Sequence, residues 1–170
     1  KLAMGFRTGG ITLGHPDYPA LLVMNALYGG TSTSKLFLNV REKLSLCYFA
    51  SSMLDKLKGL LVVSSGVEFD KFGVAQEEIL AQLEVVRGGQ FSDRELEAAR
   101  RAVSSSLRSA LDSQGRLEDH WTTQALSGRA LEGPDALMDP VERVTADDVV
   151  RAARAVELDT VYRLTGREED

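Results

Sequence analysis

Two strand-like runs stand close together in the middle of the chain. They are "LSLCYFASSML" at residues 44–54 and "GLLVVSSGV" at residues 59–67, with "DKLKG" between them. Only a turn's length separates two runs rich in aliphatic, aromatic and β-branched residues, so an antiparallel hairpin is the economical reading. Around that hairpin the order is strand, two helices, hairpin, several helices, strand. Strands clustered in this way, rather than alternating singly with helices, predict an α+β fold, with helices packed on one face of a mostly antiparallel sheet.

The elements on either side follow from spacing and punctuation. Residues 2–6 read as a short strand ending in "RTGG". "HPDYPALLVMNALYGG" reads as a helix opened by Pro16, with Ala20, Val23, Met24 and Leu27 on one apolar face and Gly29-Gly30 as its stop. A second helix, capped by Ser32 or Thr33, runs to about Lys43 and buries Leu36, Phe37 and Val40. Phe72, Ala75, Ile79, Leu83 and Val86 recur at helical spacing before Gly88-Gly89. "SDRE" at Ser92 to Glu95 is a capping box, and the helix behind it buries Leu96, Ala99, Val103, Leu107 and Leu111. Past Gly115 a further helix carries Leu117, Trp121 and Leu126, and "EGPDALMDP" is a loop with a short turn. "TADDVVRAARAV" is a helix capped by Thr145, with acids in its first turn, where the helix dipole favours them. "DTVYRLTG" closes the chain as a strand, and the terminal "REED" frays or leads onward.

No Pro- or Ser-rich linker divides residues 1–170, which reads as one domain. "KLAMGFR" opens without an initiator Met, so a fragment of a longer two-domain chain is expected. With 44% hydrophobic and 26% charged residues the composition is that of a folded domain. The net charge of -5, with Lys and Arg scattered among Asp and Glu, offers no basic stripe for nucleic acid. No apolar run approaches the roughly 20 residues of a membrane span. The single Cys47 has no disulfide partner in the chain and reads as a buried strand thiol, which favours a reducing, cytoplasmic location.

Few residues offer catalytic chemistry. His15 precedes Pro16 and Asp17 at a helix start and suits a capping or surface role. On a helix, His120 faces Thr123 and Gln124, which are not metal ligands. Neither H-E-x-x-H nor H-x-x-E-H occurs, so no catalytic residue and no metal site is expected in this chain. The serines at 51–52, 64–65 and 104–106 lack a G-x-S-x-G elbow, and "YGGTSTS" lacks the lysine placement of a phosphate loop. Arg41 and Tyr48 remain. Taken alone, they read as a surface arginine near a helix C-terminus and a half-buried strand aromatic.

Their context says more. "DYPALLVMNALYGGTSTSKLFLNVREKLSLCY" resembles the segment "D-Y-x-A-L-x-V-x-N…L-G-G-G-x-S-S-R-L-F…R-E-x-x-G-L-x-Y" of the pitrilysin/insulinase family of zinc peptidases. The resemblance extends more weakly beyond Gly89. It implies a metallopeptidase fold, a LuxS- or processing-peptidase-like domain that occurs as a paired repeat. In such a pair one copy carries H-x-x-E-H and a later Glu. The other lacks them and binds substrate peptide through an Arg and a Tyr, positions that match Arg41 and Tyr48. This chain then resembles the non-catalytic, substrate-binding copy. Its implied partners are a peptide and a zinc-bearing homologous domain, in the same polypeptide or in another subunit. Arg offers a rigid fork of donors and Tyr a hydroxyl, both suited to peptide carbonyls and to charge developing on a carbonyl oxygen. Two positions depart from the family pattern. Thr31 stands for its third glycine, implying a less flexible loop, and Ser45 stands for the glycine of the turn into the Tyr48 strand. The other reading that the resemblance leaves open is a non-enzymatic scaffold or assembly subunit of the same fold.

Overall fold

Alternation along the strands decides how the sheet faces the rest of the molecule. The computed structural model describes residues 1–128 and 130–166. Its four strands are β1 (Leu2–Arg7), β2 (Cys47–Asp55), β3 (Leu60–Val67) and β4 (Glu157–Arg163), in the order β2-β3-β1-β4. Every neighbouring pair is antiparallel. Ser52, Val63, Met4 and Val161 share one cross-strand row, and Leu54, Leu61, Phe6 and Leu158 share another. Both rows face the helices, where Met4, Phe6, Leu61 and Val63 lose essentially all contact with solvent. The alternate rows, such as Met53, Val62, Gly5 and Thr160, face away, and Met53 is 70% exposed.

The expected α+β fold, with helices on one face, is what forms. The helices are α1 (Tyr18–Asn25), α2 (Phe72–Arg87), α3 (Asp93–Leu111), α4 (Gln114–Leu126), α5 (Met138–Glu142) and α6 (Ala146–Ala155). The hairpin of β2 and β3 forms as read, its turn held by Asp55 Oδ1, which accepts from the amides of Leu57 and Lys58. Both capping boxes form. Ser92 and Glu95 satisfy each other's amides at the start of α3, and Thr145 and Asp148 do so at α6. Gly89, with φ +69°, ends α2 as expected.

Several details differ from the sequence reading. The first helix starts at Tyr18, and the proline in its first turn is Pro19 rather than Pro16. Past Asn25 it widens into a π-turn at Ala26–Gly30, and Leu36–Lys43 is π-helical throughout, not α-helical. Ser34, rather than Ser32 or Thr33, meets the start of that second segment. Its hydroxyl donates to the Thr31 carbonyl at 2.6 Å and accepts from the Phe37 amide at 3.4 Å. Leu111, expected inside, is 43% exposed, and on α4 Trp121 and Leu126 are 41% and 72% exposed. Thr123 and Gln124 are the residues that α4 buries. The loop after α4 holds a 3₁₀ turn at Pro134–Leu137 and the short α5. The terminal "REED" lies outside the described residues.

Tyr28 shows how the π-turn is fixed. It is fully buried, its hydroxyl donates to the Ile79 carbonyl of α2 at 2.9 Å, and burial pushes its phenol well above the ordinary range. The next residue is glycine because nothing larger fits. A Cβ on Gly29 would lie 2.6 Å from Ser52 Oγ and 2.7 Å from Leu36 Cδ1. Glycine here lets the end of the first helix press against β2 and the second segment.

Candidate functional site

The wide helix Leu36–Lys43 carries Arg41 and is fastened to its surroundings along its length. At its start Lys35 Nζ lies 2.6 Å from Glu95 Oε1, tying it to the capping box of α3. Burial pushes the Glu95 carboxyl up, yet the hydrogen bonds from Lys35 and Ser92 together hold it below its ordinary value. In its middle Asn39 Nδ2 donates to Gln82 Oε1 of α2 at 2.6 Å, and Gln82 Nε2 donates to Glu78 Oε1 at 2.6 Å. Leu36 and Val40 face the core, as their spacing predicts. Phe37, expected to be buried with them, is only half-buried.

Phe37 is instead a platform. The Arg41 guanidinium lies 4.6 Å from the centre of its ring, a cation–π contact between positions i and i+4. Arg41 Nη1 also sits 3.4 Å from Glu42 Oε1, and the Arg41 side chain stays 39% exposed. A charged group stacked on a ring and tethered at one side has fewer orientations to lose when it meets a ligand.

The end of this helix sets the path to Tyr48. Ser45 takes φ +49°, a left-handed conformation. From there its amide donates to the Arg41 carbonyl and the Leu46 amide donates to the Val40 carbonyl, both at 3.1 Å. These bonds satisfy carbonyls that a helix end leaves open. Thr31, at the other departure from the family pattern, needs no glycine. Its backbone is extended, with φ -136°, and its hydroxyl donates to the Ala26 carbonyl at 3.1 Å.

Strand β2 then begins with a bulge. Cys47 pairs with Val67 and Ala50 with Ser65, so Tyr48 and Phe49 together oppose only Gly66. The Phe49 ring lies over that glycine, where a Cβ would come within 2.8 Å of Phe49 Cε1. Bulges re-aim side chains at strand ends. Here the bulge leaves Tyr48 86% exposed, not half-buried as a regular strand position predicts. Cys47 is half-buried rather than enclosed. Burial pushes its thiol up, against the lowering effects of a hydrogen bond with Ser65 and of the Arg41 charge.

Arg41 and Phe49 line one hollow of ≈ 300 Å³, together with Phe37, Ser51 and the glycine stop at Gly29 and Gly30. Tyr48 is not among the residues lining it, and no hydrogen bond joins Tyr48 to Arg41 among the described residues. The site is therefore a cationic fork and two aromatic rings around a hollow, with a solvent-facing phenol on the adjoining edge strand. Such an arrangement can hold an extended chain by its carbonyls and one side chain by the rings. Reading the sequence missed Phe37 and Phe49. The i,i+4 spacing of Phe37 and Arg41 could have found the first, and the lone glycine inside a strand pattern could have suggested the bulge that places the second.

Each histidine ring has a partner within the protein. His15 Nδ1 accepts from the Asp17 amide at 3.1 Å, ahead of α1, whose own first-turn amides receive no side-chain cap. His120 Nε2 lies 2.7 Å from the Glu132 carbonyl, and its ring meets Trp121 edge-on. Among the described residues no three His, Cys, Asp or Glu are gathered so as to hold a metal. No helix among them is long and apolar enough to cross a membrane.

Comparison with known proteins gives this geometry its context. The family profile described as "Peptidase M16 inactive domain" matches residues 1–103. A curated relative from Bacillus subtilis, "Probable inactive metalloprotease YmfF", is 39% identical over 99% of the chain, which spans 39% of that protein's length. The crystal structure of a conserved protein from Enterococcus faecalis superposes with a TM-score of 0.89 at 28% identity, over 99% of this chain and 40% of that one. An inactive peptidase domain from Bordetella parapertussis shares the fold, with a TM-score of 0.79 at 20% identity, over 99% of this chain and 93% of that one.

Proposed function

Because this chain belongs to the peptidase M16 inactive-domain family, we propose that it is the substrate-binding, non-catalytic half of a zinc metalloendopeptidase. Residues 1–170 form one domain of a longer, two-domain assembly. A homologous domain, in the same polypeptide or in a partner subunit, holds the zinc, which there supplies the activated water. The work of this half is to receive the peptide and orient it.

Arg41 carries the reading. It is stacked on Phe37, half-exposed, and set at the rim of a hollow seven residues before a phenol that faces solvent. Its guanidinium donates to the carbonyl oxygens of an extended peptide, and the Tyr48 hydroxyl adds a donor from the edge strand. Donors held in place before reaction stabilise charge that develops on the carbonyl of the scissile bond. The single thiol at Cys47 suits a cytoplasmic setting.

The test is peptide cleavage by the protein assembled with its zinc-bearing domain. Arg41→Ala lowers kcat/KM by about 100-fold and Tyr48→Phe by about tenfold, on the scale of losing one preorganised donor. Cleavage equal to wild type in both variants overturns the assignment.

The description of the Bacillus subtilis relative as an inactive metalloprotease favours a second reading, a scaffold or assembly subunit that never cleaves. In that case the assembly shows no peptidase activity with any zinc-bearing partner.

A further inference from the structure

Where the Arg41 fork points depends on how the helix Leu36–Lys43 is rolled about its own axis. Its apolar contacts do not settle that. Leu36 and Val40 are fully buried against the core, but hydrophobic contact is non-directional and tolerates a roll. Lys35 reaches Glu95 through a flexible four-carbon stem, which follows such a roll. A roll of about 20° displaces groups at the helix surface, about 5–6 Å from its axis, by about 2 Å. Misplacing a reacting group by about 1 Å can cost about 100-fold in rate.

Among the described side chains of this helix, Asn39 is the one hydrogen-bonded to another element. Its Nδ2 donates to Gln82 Oε1 of α2 at 2.6 Å. Gln82 is 7% exposed, and its Nε2 donates at 2.6 Å to Oε1 of Glu78, one turn earlier on α2. A carboxylate only accepts, so the Gln82 amide turns its N–H to Glu78 and its carbonyl to Asn39. With both ends engaged in a buried place, that amide resists turning over. A hydrogen bond is directional, and this one therefore fixes what the apolar contacts leave free. Asn39 and Arg41 are two residues apart, which on a helix of about four residues per turn sets them on nearly opposite sides. α2 thus holds one flank of the helix, and from the other flank Arg41 reaches the hollow shared with Phe37 and Phe49.

We propose that Gln82, oriented by Glu78, is a positioning residue that sets the roll of this helix through Asn39 and so places the Arg41 fork at the hollow. The inference rests on the reading of Arg41 as a donor to the peptide.

Peptide cleavage by the protein assembled with its zinc-bearing domain tests this, with kcat and KM measured separately. Gln82→Met keeps the length of the side chain and removes both hydrogen bonds. It lowers kcat about tenfold with KM unchanged, as expected when a donor is misplaced in the transition state. In an Arg41→Ala background it lowers kcat no further. Asn39→Asp is as slow as Gln82→Met, because the Gln82 carbonyl then faces a carboxylate. The double variant Asn39→Asp/Glu78→Gln recovers wild-type kcat. There the Gln82 amide turns over, its N–H meeting the carboxylate at position 39 and its carbonyl accepting from the amide at position 78. A loss of packing alone would not recover in this way. Should Gln82→Met fail to fold, Asn39→Asp and its recovery decide the matter. Wild-type kcat in Gln82→Met beside a slow Arg41→Ala overturns the role of Gln82 and leaves that of Arg41. Additive losses with Arg41→Ala, or no recovery in Asn39→Asp/Glu78→Gln, do the same. Wild-type cleavage by Arg41→Ala, or an assembly that cleaves no peptide, overturns both.

Discussion

Ser45 stands in the left-handed region at φ +49°, where a side chain with a Cβ meets the following carbonyl. The family glycine at this position has a conformational reason: the turn from the Arg41 helix into β2 needs positive φ. Serine makes the same turn at a cost. Ser45→Gly is expected to stabilise the protein by about 0.5–1 kcal/mol, because relief of that strain outweighs the added freedom of the unfolded chain. Urea unfolding measures it, and an unchanged or lower midpoint contradicts it. At this scale Arg41 and Tyr48 stood out only through the resemblance of their segment to a family pattern, and the contacts each makes were not legible. The stacking of Arg41 on Phe37 needs the helix to be built, and the exposure of Tyr48 needs the bulge opposite Gly66.

Helix ends were the most legible elements, because a capping box is local chemistry within four residues. Ser92→Ala and Thr145→Ala should each cost about 1 kcal/mol at neutral pH, read from denaturant midpoints. The boxes also carry a pH dependence. Asp148 is held below its ordinary value, first by the Thr145 hydroxyl and then by the Thr145 amide and Arg151. Glu95 is held below its own by Lys35 and Ser92, despite its burial. A carboxylate whose folded value is depressed stabilises the fold above its unfolded value, about 3.9 for Asp and 4.3 for Glu, and loses that contribution as pH falls through the folded value. Stability should therefore fall as pH drops below about 5 and on through the depressed folded values, and Glu95→Gln should flatten that fall while lowering stability at pH 7. An unchanged slope in urea midpoints against pH would refute the assignment. The π-helical widening at Ala26–Gly30 and Leu36–Lys43 was not legible, since its apolar spacing does not differ enough from that of an α-helix. Nor was the inversion of α4, where apolar spacing pointed to Trp121 and Leu126, but Thr123 and Gln124 are the residues buried.

Across the whole molecule, a few polar contacts set how the helical layer sits on the sheet. Tyr28 joins the π-turn to α2, and Arg87 reaches from α2 to the carbonyls of Ala153 and Val156 at the end of α6. Arg151 then ties α6 to Asp17 ahead of α1 at 2.7 Å. Tyr28→Phe keeps the ring and removes one buried donor, and should cost about 1–1.5 kcal/mol in unfolding free energy. A loss below a few tenths would mean that water replaces the hydroxyl.

The sequence by itself determined the α+β class, the hairpin and the capping boxes of α3 and α6, because periodicity, caps and turns are interactions among near neighbours in the chain. Only the tertiary structure decided that the second helix is wide, that β2 begins with a bulge, and that Phe37 and Phe49 join Arg41 around a hollow. Each of these depends on groups distant in sequence competing for the same space and the same hydrogen bonds, and that competition is resolved only when the helices close over the sheet.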